Sequence, residues 1–94
     1  MKASIIIITK NNEKDITALL QALAIQDFKN FEVILVDFCS TDQTIARASS
    51  FPIKVIRMDS NQDYNFSQAI NLAASVSRGK IIFCFKGNAW YTEP

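Results

Sequence analysis

Ninety-four residues allow one domain with a modest core. A hydrophobic content of 49% with seven phenylalanines excludes a disordered chain. A net charge of +1, with its basic residues scattered, leaves no electrostatic footprint for nucleic acid.

The chain opens with ASIIIIT, residues 3–9, a continuous apolar run that predicts a strand buried on both faces. Asn11 and Asn12 then offer helix N-caps, and Glu13 and Asp15 suit the positive end of a helix dipole. Ile16, Leu19, Leu20 and Leu23 recur at helical spacing, which predicts an amphipathic helix over residues 13–26. Asp27 to Asn30 is the return loop. The stretch that begins at Phe31 carries the apolar run Val33 to Val36, which predicts a second strand buried on both faces, with Asp37 following at its carboxyl end. Ser40 and Gln43 have the spacing of a capping box and predict a second, short helix through Ala48 and Ser49. Phe51-Pro52 ends it.

Ile53 to Met58 mixes apolar residues with Lys54 and Arg57, the pattern of a half-exposed edge strand. The polar loop Asp59 to Asn65 leads to a third helix start at Asn65 with Gln68. That helix carries Phe66, Ala69, Ile70, Ala73 and Ala74 on its apolar stripe. Gly79 is the expected C′ residue, with Arg78 favourable at the negative helix end. Ile81 to Phe85 is the fourth strand, with Cys84 as a small core residue; Gly87-Asn88 is a turn and Ala89 to Pro94 a tail. The order β-α-β-α-β-α-β with right-handed crossovers predicts a three-layer, Rossmann-like α/β fold. Its sheet is mostly parallel, in strand order 3-2-1-4. Ligands then belong at the carboxyl ends of the first and fourth strands, where the order reverses.

No glycine-rich phosphate loop is present, since Gly79 and Gly87 are the only glycines. The chain has no histidine, so no Ser-His-Asp or Cys-His relay can form within it. Cys39 and Cys84 are too few for a metal set and are expected to remain unpaired. No apolar run reaches the length of a membrane span or signal peptide, and a cytoplasmic location is expected.

SIIIITKNNE, FEVILVDFCSTDQT and NFSQAINLAASVSRGKIIFCF, followed by a turn and Trp90, resemble the N-terminal, nucleotide-sugar-binding half of family 2 glycosyltransferases, which have the GT-A fold. The family pattern runs P-T-x-N-E, then V-D-D-G-S-T-D, then F-S-x-A-x-N, then a strand ending in D-x-D. The resemblance implies that residues 1–94 are a single truncated glycosyltransferase-like domain. It would hold the nucleotide-sugar donor, a UDP-sugar first, for transfer to an acceptor hydroxyl. It also implies nucleotide contacts from Thr9, Asn11 and Asp37, with Lys86 and Asn88 at the two ends of the D-x-D run. Phe66, Ser67, Ala69 and Asn71 match the third motif as packing and structural residues. Ser40, Thr41 and Asp42 match as helix caps.

The departures are Phe38 for the second carboxylate of the D-D pair, Cys39 for the following glycine, and Lys86-Gly87-Asn88 for D-x-D. They weaken the case for the Mn or Mg ion that the family uses. The resemblance supplies no catalytic base and no metal ligand here, so the chain alone is expected to be inactive or incomplete. The alternative is a degenerate, non-catalytic domain binding a nucleotide or a partner. The apolar fourth strand and the aromatic tail predict a homodimer through that edge.

Overall fold

The computed structural model describes residues 3–25, 30–58, 66–79 and 81–86, with the backbone alone for Phe66, Phe85 and Lys86. The elements are β1 (Ala3–Thr9), α1 (Glu13–Ala24), β2 (Phe31–Phe38), α2 (Thr44–Ala48), β3 (Lys54–Met58), α3 (Phe66–Val76) and β4 (Ile81–Lys86). All pairings are parallel and the order is β3-β2-β1-β4, as the alternation of elements predicts. No described helix is long and apolar enough to cross a membrane. The expected loops at Asp27 and at Asp59 to Asn65, the turn at Gly87-Asn88 and the tail with Trp90 lie outside the described residues.

Strand periodicity divides the core into two layers. Ile5, Ile7, Val33 and Leu35 pack with Ile16, Leu19 and Leu20 of α1 and Ala48 of α2. Ile6, Ile8, Ile34, Val36 and Phe38 pack with Ala69 and Ala73 of α3. The two crossovers running from β1 to β3 place their helices on one face. The return to β4 reverses direction and puts α3 on the other. β1 and β2 are therefore buried on both sides, whereas β3 is half exposed, as its charged alternation predicts.

Three local expectations are corrected. Cys84 is exposed rather than in the core, because β4 forms one edge of the described sheet. Its neighbours Ile81, Ile82 and Phe83 are about half exposed as well. Both cysteines are free. Gly79 is not a left-handed C′ residue, since no described glycine has a positive φ. It is glycine because a Cβ there would run into the backbone of Ala3 and Ser4, where the chain leaving α3 crosses the start of β1. Asn12 occupies the N-cap of α1, but its side chain makes no cap bond; its Oδ1 accepts the Lys10 N–H instead.

The Gly79 crossing is latched by a carboxylate. Gly79 N–H donates to Ser4 Oγ at 2.8 Å, and Ser4 Oγ donates to Glu32 Oε2 at 2.6 Å. The Arg78 N–H donates to the same oxygen, and Lys54 Nζ lies 3.4 Å from Oε1. Burial works against the charge on Glu32, whose side chain is 8% exposed. The hydrogen bonds from Ser4, Arg78 and Lys54 outweigh that and hold its pKa below the usual 4.5. Lys54 is half exposed, so its ion pair contributes little. The cost of losing Glu32 falls on the Ser4 hydroxyl and the Arg78 amide.

Glu32→Gln keeps one acceptor and removes the charge, and is expected to lower stability by about 1–2 kcal/mol at neutral pH. With the folded pKa depressed, the carboxylate's contribution is complete above the unfolded value of 4.5 and disappears as pH falls through the lower folded value. Urea titrations should show the gap between wild type and variant narrowing below that pH. A gap independent of pH would assign the loss to packing.

Candidate functional site

The carboxyl ends of β1 and β2 lie side by side, with Thr9 in register with Asp37. Both are fully buried. Thr9 Oγ1 donates to Asp37 Oδ1 at 2.6 Å, Ser40 Oγ donates to the same oxygen at 2.5 Å, and Ser40 N–H donates to Oδ2 at 2.9 Å. Such charge-assisted bonds contribute about 1.5–3 kcal/mol each, which offsets the desolvation of the carboxylate. Asp37 is expected from sequence as a nucleotide contact; the structure places it behind the loops, as the post to which they are fixed.

From that post the two loops are knitted together. Asn11 N–H donates to Ser40 Oγ, Asn12 N–H to Thr44 Oγ1, and Glu13 N–H to Asp42 Oδ2. In the other direction, Thr41 N–H donates to Asn11 Oδ1 and Gln43 N–H to Glu13 Oε1. Arg47 Nη1 donates to the Glu13 carbonyl. The donors include early N–H groups of α1 and the loop N–H groups leading into α2, groups that a helix start cannot satisfy internally. Asp42 also accepts the Thr44 N–H and hydroxyl through Oδ1. Burial raises its pKa, but the bonds from Thr44 and Glu13 outweigh this and leave it below the usual aspartate value.

The Ser40–Gln43 capping box is thereby corrected. α2 begins at Thr44, with Gln43 at the N-cap and no side-chain cap bond. Ser40 cannot cap because its hydroxyl already joins Asp37 to Asn11. Asp42 is a cap, as expected, but it serves the starts of both helices. Thr44, the cross-loop bonds of Glu13 and the bridging role of Ser40 were not singled out from sequence. Their partners are about thirty positions away, so no local pattern reveals them. Asn71, expected as a structural hydrogen-bonder, is exposed on α3 and its side chain bonds to no other described residue.

Thr9, Asn11 and Asp37 are thus brought together. Lys86 ends β4 opposite Ile8, at the same edge of the sheet; its side chain and all of Asn88 lie outside the described residues. Phe38 is fully buried in the layer against α3. Among the described residues no group of three acidic, cysteine or histidine side chains is placed to hold a metal. A hard divalent cation wants several carboxylate oxygens, and this donor set does not fit one: Asp37 and Asp42 are already committed to protein donors.

Among the described residues, two hold a left-handed backbone: Asn11 at φ 56° and Cys39 at φ 49°. Asparagine tolerates this conformation; cysteine does not do so readily. Cys39 sits where the resemblance has glycine, and the positive φ is the reason for a glycine there. Its Sγ donates to the Met58 carbonyl.

A parallel sheet with a strand-order reversal and polar loops gathered at its carboxyl edge defines a Rossmann-like α/β fold. The sequence model of glycosyl transferase family 2 matches residues 4–93, and the chain belongs to that family. It is 40% identical over 77 residues to an uncharacterized glycosyltransferase of Haemophilus influenzae, a match covering 81% of this chain and 26% of the relative. It is 46% identical over 67 residues to the poly(ribitol-phosphate) beta-N-acetylglucosaminyltransferase TarS of Staphylococcus aureus, covering 65% of this chain and 12% of that one. The crystal structure of TarS 1–349 in complex with UDP-GlcNAc superposes with a TM-score of 0.84 at 36% identity, covering 94% of this chain and 27% of the other. The mannosyltransferase PcManGT of Pyrobaculum calidifontis, solved with GDP-Man and Mn²⁺, shares the fold with a TM-score of 0.75 at 23% identity, over 93% of this chain and 27% of its own. The chain thus spans between about an eighth and about a quarter of the length of these relatives.

The backbone at Cys39 gives a direct test. Glycine ordinarily destabilises a site relative to alanine, through the entropy of the unfolded chain. At φ 49° the order should invert, with Cys39→Gly more stable than Cys39→Ala by about 1 kcal/mol in urea denaturation. Alanine as the more stable variant would show that the turn is unstrained.

Proposed function

We propose that this chain is the donor half of a family 2 glycosyltransferase, binding a nucleotide-sugar, a UDP-sugar first, at the carboxyl edge of β1, β2 and β4. The observation that carries this reading is the knitted pair of loops fixed on Thr9 and Asp37, in a chain with the fold of a transferase solved with UDP-GlcNAc. In this reading residues 1–94 act as one nucleotide-binding unit. Thr9, Asn11, Asp37, Lys86 and Asn88 are the nucleotide-binding residues of this reading, with Thr9 and Asp37 also fixing the loop that carries Asn11. In this reading the base that serves an acceptor hydroxyl comes from residues outside this set.

Relatives of the fold are solved with Mn²⁺. Here the nucleotide is held without help from a cation, because Phe38 is core and the D-x-D run reads Lys86-Gly87-Asn88. The same substitutions favour a second reading, a domain of this family that has lost turnover and keeps only binding of a nucleotide or a partner.

Calorimetric titration with UDP is expected to show weak binding whose affinity is unchanged by Mn²⁺. A large gain with the metal would reject the cation-independent site. No binding of UDP under either condition would set aside the nucleotide reading and leave the partner-binding one.

A further inference from the structure

We propose that two copies of this chain pair along β4, antiparallel about a two-fold axis at Phe83, and join their sheets into one. This does not rest on the nucleotide reading, since it concerns the outer edge of β4 along its length.

The composition of β4 has no reason within the fold of one chain. Ile81 to Cys84 is as apolar as the middles of β1 and β2, yet neither core layer includes a described residue of β4. The register with β1 sets Ile81 and Phe83 beside Ala3 and Ile5, on the face that carries α1. It sets Ile82 and Cys84 beside Ser4 and Ile6, on the face that carries α3. All four are exposed, so neither helix layer covers the strand. Of the six large apolar side chains exposed among the described residues, three in a row stand here. The opposite edge of the described sheet is built differently. On β3, Lys54 and Arg57 are both exposed, and charge of this kind discourages the addition of a strand.

The partner that suits an uncharged apolar strand is another one, and the chain carries it. The run Ile81 to Phe85 has no charge between Lys80 and Lys86. A two-fold axis normal to the sheet keeps each residue on its own face, so only positions of the same parity meet. Centred on Phe83, such a pair sets Phe83 against its counterpart and Ile82 against Cys84 of the second copy, apolar against apolar throughout. Addition of β4 to β3 of another copy would meet Lys54 and Arg57 and would leave further edges open, whereas the two-fold pair closes on itself. Four side chains of this size, about half exposed, offer roughly 350 Å² a copy and about 700 Å² in the pair, the size of a weak, reversible contact.

The test is sedimentation equilibrium of the whole chain, reduced, from micromolar to millimolar concentration. The mass should rise toward twice that of the chain, with a dissociation constant of about 10–100 µM. Phe83→Lys places a charge at an exposed edge position, which a single chain tolerates. It should stay monomeric with an unchanged circular dichroism spectrum. Ile82→Cys reads the register. Opposed Cα atoms of an antiparallel pair lie about 4.5–5.5 Å apart, within reach of a disulfide, so mild oxidation should link position 82 of one copy to Cys84 of the other. In the wild type the two Cys84 stand diagonally, about 7–8 Å apart, and should not link. A monomer mass at every concentration, a dimer that persists in Phe83→Lys, or a dimeric Ile82→Cys without the 82–84 link would overturn the proposal.

Discussion

The buried carboxylate of Asp37 is the constraint on which the rest of the site depends. Removing such a charge from water costs several kcal/mol, and an interior site tolerates it only when donors converge on it. Here they come from two places, the Thr9 hydroxyl on β1 and the hydroxyl and amide of Ser40 beyond β2. Satisfying the charge therefore fixes the register of β1 against β2 and forces the chain to turn sharply after Phe38. The turn is made at Cys39, in a backbone region unfavourable to any residue with a Cβ. The strain is outweighed by the bonds that it permits. Ser40 then passes the constraint outward to the Asn11 amide, so an exposed side chain is held in place by a charge that solvent does not touch.

β2 carries a second carboxylate at its other end, and the two divide the labour. Glu32 and Asp37 have an even number of residues between them, so they face opposite layers. Asp37 faces the loops of α1 and α2 at the carboxyl edge. Glu32 faces the α3 side at the amino edge, where it gathers Ser4, the Arg78 amide and Lys54. The apolar middle of the central strands supplies the hydrophobic driving force, and the polar ends decide where each crossover comes to rest.

The fold was legible because each cue was regional. Continuous apolar runs at residues 5–8 and 33–36, an amphipathic helix at residues 16–23 and the strict alternation of elements specify layers and strand order together, and all of these appear in the structure. Legibility failed where a side chain chose a distant partner over a near one. Ser40 and Gln43 have capping-box spacing, yet a buried carboxylate is a stronger partner for a hydroxyl than a helix end, and Ser40 goes to Asp37. Gly79 follows a helix as a C′ glycine would, but its reason is the backbone of Ala3 and Ser4, at the far end of the chain. Cys84 shares the composition of the buried strands and differs only in lying on an outer one. The left-handed turn at Cys39 was visible in principle, since a glycine at this place in the family motif marks a backbone requirement that the substituted residue inherits.

Phe38 and Cys39, which stand where the family motif has Asp-Gly, answer to two different constraints of the fold. Adjacent strand residues face opposite layers, so position 38 points away from Asp37 and toward α3. Ala69 and Ala73, both fully buried, leave on that helix the space that a phenyl ring needs. Ile8, Val36 and Met58 join the same layer. Phe38 has thus become part of the core, and a carboxylate returned to that position alone would meet apolar neighbours where it needs donors or a cation. The backbone at residue 39 has kept its left-handed turn even though the glycine is gone, because Ser40 must still reach Asp37. Position 38 thus serves the layer against α3, while positions 37, 39 and 40 hold the backbone of Asn11 in place.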